Sequence, residues 1–328
     1  MPATSPHAAI LGLGVDRAKR VVPNADLVAA IDSSDEWIQQ RTGIKERRWL
    51  GPGETLESLA LAASQRAIAS SGIEAAQIDA IVVATCTHTL QTPALAAKLA
   101  HLLGTQAPAA FDISAACAGF CHAVGLASDM VRSGTSRYVL VVGAEALSRV
   151  TSKTDRGTAF IFGDGAGAVV VGPSEVPGIG PVVWGSDGEQ FDAIRQTVDW
   201  VEAHENQDPE LPYIAMDGPA VFRWASYEMA KIAQATLDRT GIRADQLDLF
   251  VPHQANMRII DAMARAMKLP EHVRIARDIA TQGNTSAASI PLALARMYDE
   301  GTAKSGDLAL LIAFGAGLSY AAQVVRVP

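Results

Sequence analysis

Apolar and polar positions alternate along the chain in a regular succession of short and long blocks. Nearly uninterrupted apolar runs at residues 78–84, 138–143, 166–171, 247–251 and 308–314 have the length and Val/Ile/Leu content of strands buried on both faces. Alanine-rich stretches at 56–70 and 119–132 separate them and are long enough for helices. The pattern predicts an α/β protein. A further run, 308–325, is mostly apolar, yet Gly315, Gly317, Ser319 and Gln323 interrupt it, which predicts two buried strands joined by a glycine turn rather than a membrane span. The segment 184–218 is more polar and irregular. Its Glu202, His204, Glu205, Asp208 and Glu210 read as a solvated excursion or a lid over a site before they read as a metal or acid–base cluster.

The chain also carries a faint echo of itself. Residues 71–85 align without gaps with 240–254, pairing Gly72 with Gly241, Ile73 with Ile242, Gln77 with Gln246 and Asp79 with Asp248. Each segment reads as a helix end, a glycine stop, a short turn and a buried strand. The echo points to two similar halves, placed at 1–175 and 176–328.

With 328 residues and 49% hydrophobic content, the chain is long enough to bury a large core. A net charge of -8 argues against a general nucleic-acid binder, although local basic patches remain compatible with it. Three cysteines, Cys86, Cys117 and Cys121, are too few for a disulfide framework and fit a reducing cytoplasm. The N-terminal residues lack the basic, apolar and small-residue succession of a signal peptide.

Cys117 follows a short apolar strand and small residues and falls where a helix begins. Helix N-termini favour a thiolate, so this placement predicts a pKa below the ordinary ~8.5. A cysteine simply packed among alanines is the alternative. His253 lies just after the run 247–251, and Asn284 just before a helical stretch. A satisfied core histidine and a turn-capping asparagine are their plain readings, whereas a cysteine with a distant His and Asn is a catalytic pattern. Cys117, Cys121 and His122 do not read as metal ligands, because Cys121 and His122 are adjacent and point apart and no second cysteine pair closes a site. The glycines of 163–167 lack the lysine of a phosphate loop and read as close packing.

The stretches 34–44, 155–158, 162–167, 251–256 and 283–291 closely resemble the β-ketoacyl-acyl-carrier-protein synthase III family, nearly end to end. The resemblance implies a thiolase-like α/β fold, two duplicated βαβαβαββ halves in a five-layered α-β-α-β-α arrangement, and a homodimer. It implies that Cys117 takes an acyl group from acyl-CoA and that malonyl-acyl carrier protein loses carbon dioxide and attacks the resulting thioester. In that scheme His253 and Asn284 stabilise the enolate, and no tightly bound cofactor, metal, nucleic acid or membrane is involved. Backbone N–H groups of Cys117 and Ala316 would hold the acyl oxyanion, Ala316 standing where many relatives have glycine. Trp37 and Arg156 match the pair that sandwiches the adenine of coenzyme A, Arg41 a phosphate contact, and Phe222 and Asn256 positions along the pantetheine arm. Thr92 matches the position from which a phenylalanine, in short-primer members, closes the partner's acyl channel, so a primer larger than acetyl is expected. Arg223, Arg258 and Arg265 are expected to form a basic patch for the acidic carrier protein. A degradative thiolase would need a second reactive cysteine in the C-terminal half, and elongating ketosynthases use two histidines. A specialised-metabolism ketosynthase of polyketide or quinolone type would keep the same three residues, and a non-catalytic CoA-binding scaffold would have had no need to.

Overall fold

The apolar runs become strands of two five-stranded sheets in a computed structural model that describes residues 7–205 and 212–328. The first sheet holds β1 (His7–Arg17), β2 (Ala80–Ala84), β3 (Ala109–Ile113), β4 (Val139–Ala146) and β5 (Asp164–Ser174), in the order β1-β5-β4-β2-β3. The second holds β6 (Val183–Ser186), β7 (Leu249–Pro252), β8 (Arg274–Ile275), β9 (Leu308–Gly315) and β10 (Ser319–Arg326), in the order β6-β10-β9-β7-β8. The two orders are the same. So are the directions, with the last two strands of each half antiparallel and the inner pairs parallel. The helices are α1 (Asp35–Thr42), α2 (Leu56–Ser71), α3 (Leu95–Leu103), α4 (Gly119–Arg132), α5 (Trp200–Glu205), α6 (Gly218–Thr240), α7 (Met257–Ala266), α8 (Ile279–Gln282) and α9 (Ser289–Asp299).

Alternation along the strands dictates the layers, because successive side chains point to opposite faces. Val82 and Val141 of the first sheet and Leu249 and Leu311 of the second share one core with Phe120 and Val124 of α4 and Ile290 and Met297 of α9. The intervening residues Ile81, Val83, Leu140 and Val142 face α2 and α3, while Phe250, Leu310 and Ile312 face α6 and α7. The result is α-β-α-β-α, with α4 and α9 enclosed between the sheets. Each such aliphatic side chain contributes about 1.5–3 kcal/mol on burial. That shared core holds the N-termini of α4 and α9 in fixed relation.

The echo between 71–85 and 240–254 is structural. Gly72 (φ 73°) and Gly241 (φ 69°) close α2 and α6 in the left-handed region. The apolar run at 308–325 forms the antiparallel β9–β10 pair, and among the described residues no helix is long and apolar enough to cross a membrane. Strands β4 and β5 outrun their apolar stretches, since their pairing continues from Val139 opposite Val171 to Ala146 opposite Asp164. The irregular segment supplies α5 and a short antiparallel pair, Ile194–Gln196 with Ile214–Met216. Asp208 and Glu210 lie outside the described residues.

Candidate active site

The ends of three secondary-structure elements deliver the chemistry. After β3 the backbone makes a tight 3-10 turn at Ala116–Ala118 before α4, so Cys117 sits in that turn and not in the first turn of the α-helix itself. Its predecessor Ala116 has φ 44°, a left-handed conformation that costs a residue with a Cβ. His253 follows β7 directly, its N–H donating to Ile312 O at 2.7 Å and so extending the parallel ladder. The backbone of Asn284 is clamped to the first half, its N–H donating to Ile161 O and its carbonyl accepting from Gly163 N–H, both at 2.9 Å. Two residues on, Ser286 has φ 48°. The turn 115–119 is repeated at 285–289: Ala118 (φ -81°, ψ -7°) matches Ala288 (φ -78°, ψ -11°), and Gly119 (φ -55°, ψ -40°) matches Ser289 (φ -66°, ψ -38°).

Cys117, His253 and Asn284 line one cavity of about 540 Å³, together with Phe162 and Phe314. A second cavity, of about 590 Å³, also reaches Cys117 and is walled by Cys86, Gln91, Ser114, Ser286 and Trp200. The thiol therefore stands where two cavities meet. Thr92 lines neither and is exposed next to Gln91.

The expected depression of the Cys117 pKa does not hold. Burial pushes the thiol up to about 12, Glu145 nearby adds to this, and the Ser286 hydroxyl beside it only partly offsets them. Burial also holds His253, 2% exposed, neutral by lowering its pKa to about 3. Its Nδ1 lies 2.7 Å from Ser289 Oγ, and the Phe314 ring meets the imidazole edge-on at 5.7 Å. Asn284 Oδ1 accepts the Ser286 N–H at 2.8 Å, which leaves the amide NH₂ as the end available to the cavity. The site thus presents a thiol and two neutral polar side chains, with no charged group among the three.

The turn joining β9 to β10 presses on the nucleophile. A Cβ on Gly315 would come within 2.5 Å of Cys117 N. Ala316 follows on the wall of the second cavity and is not among the residues with positive φ; the left-handed residue of this turn is Gly317, at φ 128°. Alanine at 316 therefore brings no backbone strain.

Farther out in the first cavity, Arg41 and Arg156 each place a guanidinium carbon 5.7 Å from the centre of the Trp37 ring. Asn256 uses both ends of its amide, donating to Arg41 O at 3.0 Å and accepting the Arg258 N–H at 2.9 Å, so it ties α1 to the start of α7. Arg258 lies over Phe222 at 4.9 Å, and these two with Arg223 line the same cavity. Arg265, near the other end of α7, is exposed and lines neither cavity. Cys121 is in the core, and His122 donates Nδ1–H to Ala118 O at 3.0 Å, so neither joins Cys117.

Four polar residues here were not singled out in the sequence. Glu145, fully buried, accepts from Thr87 Oγ at 2.6 Å and from the Cys86 N–H at 3.2 Å, and burial raises its pKa. The available signal was a lone acid inside an apolar strand. Ser286 and Ser289 stand within the quoted stretch 283–291, where serines at a helix start read first as caps. Cys86 lies two residues beyond the buried strand β2.

A family profile described as 3-Oxoacyl-[acyl-carrier-protein (ACP)] synthase III matches residues 111–188, and one for the C terminal of the same enzyme matches 237–327. The chain is 55% identical to beta-ketoacyl-[acyl-carrier-protein] synthase III 1 of Streptomyces coelicolor, covering 99% of this chain and 97% of that one. It is 53% identical to the mycobacterial beta-ketoacyl-[acyl-carrier-protein] synthase III of Mycobacterium marinum, covering 97% and 95%. Among solved structures, the priming β-ketosynthase of the R1128 polyketide biosynthetic pathway is similar with a TM-score of 0.97 and 46% identity, over 100% of this chain and 98% of that one. The 3-oxoacyl-[acyl-carrier-protein] synthase III of Aquifex aeolicus gives 0.89 and 38%, over 98% and 100%.

Proposed function

The chain belongs to the 3-oxoacyl-[acyl-carrier-protein] synthase III family, and on that premise we propose that it condenses an acyl-CoA primer with malonyl-acyl carrier protein to give 3-oxoacyl-acyl carrier protein and carbon dioxide. The observation that carries this reading is the meeting of Cys117, His253 and Asn284 on one cavity that also reaches Trp37, Arg41 and Arg156. In the first half-reaction the Cys117 sulfur bonds to the acyl carbon, the bond to the coenzyme A sulfur breaks, and the thiol's proton leaves with the departing CoA. Backbone N–H groups of Cys117 and Ala316 hold the oxyanion. In the second, the malonyl thioester loses carbon dioxide, its C2 bonds to the acyl carbon, the bond from that carbon to the Cys117 sulfur breaks, and the departing thiolate takes up a proton from solvent. His253 and Asn284 donate hydrogen bonds to the enolate oxygen that develops on decarboxylation. Neutral donors suit this step, because they meet charge that appears only in the transition state.

Trp37, Arg156 and Arg41 bind the nucleotide end of coenzyme A, and Phe222 and Asn256 flank its pantetheine. The second cavity takes the acyl chain, with Thr92 contributed to the partner's channel. Arg223, Arg258 and Arg265 receive the carrier protein. The thioester brings its own activated acyl group, so no resident cofactor is needed. Among the described residues the outer edge of β3 has no strand paired to it, and its residues are exposed or only partly buried, which supports a homodimer across that edge. The end of β5 at Ser174 and the start of β6 at Val183 support division of the halves at 175 and 176. Cys86, Cys117 and Cys121 are all free, in keeping with the cytoplasm. The likeness to a priming ketosynthase of a polyketide pathway supports a second reading, in which the same chemistry loads a specialised starter unit.

His253→Ala tests the assignment. Cys117 should still take up a radiolabelled acyl group from acyl-CoA, while malonyl decarboxylation falls by about 10²-fold or more. A variant that decarboxylates normally but fails to acylate would overturn it.

A further inference from the structure

We propose that Ser289 is a positioning residue that holds His253 as its Nε2–H tautomer, so that the ring presents a donor to the enolate oxygen; the inference rests on the role given to His253 above. Ser289 is 1% exposed and opens α9, with its Oγ 2.7 Å from His253 Nδ1. The same oxygen accepts the Gln254 N–H at 3.3 Å. A serine hydroxyl has one proton, and among the described residues His253 Nδ1 is the only acceptor within reach of this one. Were Nδ1–H to donate instead, the buried hydroxyl proton would have no acceptor among the described residues, so the hydroxyl donates to Nδ1 and Nδ1 is unprotonated. In a neutral imidazole the proton then resides on Nε2, the nitrogen not engaged by Ser289.

The duplication of the fold supports a specific purpose for this contact. By the alignment of 71–85 with 240–254, His253 corresponds to Ala84, and by the matched turns Ser289 corresponds to Gly119. These two positions touch in the first half as well, where a Cβ on Gly119 would lie 2.9 Å from Ala84 Cβ. The architecture thus brings the strand end and the helix start into contact in both halves. In the first half, methyl and glycine merely pack. In the second, the same contact joins imidazole to hydroxyl beside the cavity.

Nitrogen-15 NMR of the full-length protein labelled in histidine, with the His253 signals identified by their loss in His253→Ala, reads the tautomer directly. We expect an unprotonated Nδ1 and a protonated Nε2 in the unmodified protein. Ser289→Ala should lose that single-tautomer signature and lower kcat for condensation by about 10- to 100-fold, less than or comparable to removal of an oxyanion donor. Acylation of Cys117 should stay within about twofold, since the contact serves the second half-reaction. Ser289→Cys, which keeps a weak donor, should recover part of the loss. A protonated Nδ1 in the unmodified protein, or a folded Ser289→Ala that condenses at the original rate, would overturn the proposal. If Ser289→Ala does not fold, the spectrum of the unmodified protein alone decides. Normal decarboxylation by His253→Ala, with Nε2–H still observed in the unmodified protein, would count against the function assigned to His253 and not against the Ser289 contact.

Discussion

Replacing Asn284 by aspartate changes one atom pair and should reverse the sign of its effect on catalysis. The backbone at this position is held by its own bonds to Ile161 and Gly163, and one carboxylate oxygen can still accept the Ser286 N–H, so the fold tolerates the change. The other oxygen takes the place of the amide NH₂ that faces the cavity. Loss of one donor to a developing oxyanion costs about 2.7–4 kcal/mol. A carboxylate at about 4 Å from the enolate adds a repulsion of about 4 kcal/mol at an effective dielectric constant near 20. Together these amount to about 7 kcal/mol, or about 10⁵-fold in decarboxylation rate. Asn284→Ala removes only the donor and should lose about 10²–10³-fold. Asn284 is 6% exposed, and burial raises the pKa of a carboxyl, so the introduced aspartate gains a proton, and with it a donor, as pH falls. The aspartate variant should therefore recover toward the alanine variant or beyond it in acid, a trend the unmodified protein lacks. Release of labelled carbon dioxide from malonyl-acyl carrier protein measures the rate, with acyl transfer to Cys117 as the control for folding. If Asn284→Ala decarboxylated as fast as the unmodified protein, the amide would not be the enolate's donor; if Asn284→Asp only matched Asn284→Ala at pH 8, no carboxylate charge would face the enolate.

Three further outcomes rest on the same geometry. Because burial raises the Cys117 pKa to about 12, alkylation by iodoacetamide should climb about tenfold per pH unit, tracking the thiolate fraction, with no plateau below pH 9; a plateau near pH 7 would show a depressed pKa instead. Thr92→Phe should suppress long acyl-CoA primers while sparing acetyl-CoA, since each buried methylene contributes up to about 0.8 kcal/mol; an unmodified protein confined to acetyl-CoA would refute the open channel. Arg258→Glu should raise the apparent KM for malonyl-acyl carrier protein much more than for malonyl-CoA, and equal effects on both would remove Arg258 from the docking surface.

Much of this protein is legible in its residue pattern because the relevant physics is local. Apolar runs such as 308–314 read as buried strands, glycines such as Gly72 and Gly241 as helix stops, and the repeat at 71–85 and 240–254 as two halves, since strand burial and left-handed helix ends are decided within a few neighbours. The stretches 34–44, 155–158, 162–167, 251–256 and 283–291, two of which hold His253 and Asn284, likewise identify a family without coordinates. What needed the tertiary structure are quantities set by residues far apart in the chain. The ionisation of Cys117 depends on the desolvation imposed by the surrounding walls and on the Glu145 carboxyl nearby, and these outweigh the helix-start effect a sequence suggests. The placement of Ala316 is harmless because the positive φ falls one residue later, a detail of one turn that no composition rule carries. Ser289 reads as an ordinary helix-start serine until the packing of α9 against β7 brings its hydroxyl to His253, 36 positions away. Desolvation and hydrogen-bond direction belong to the three-dimensional contact, and only that contact decides them.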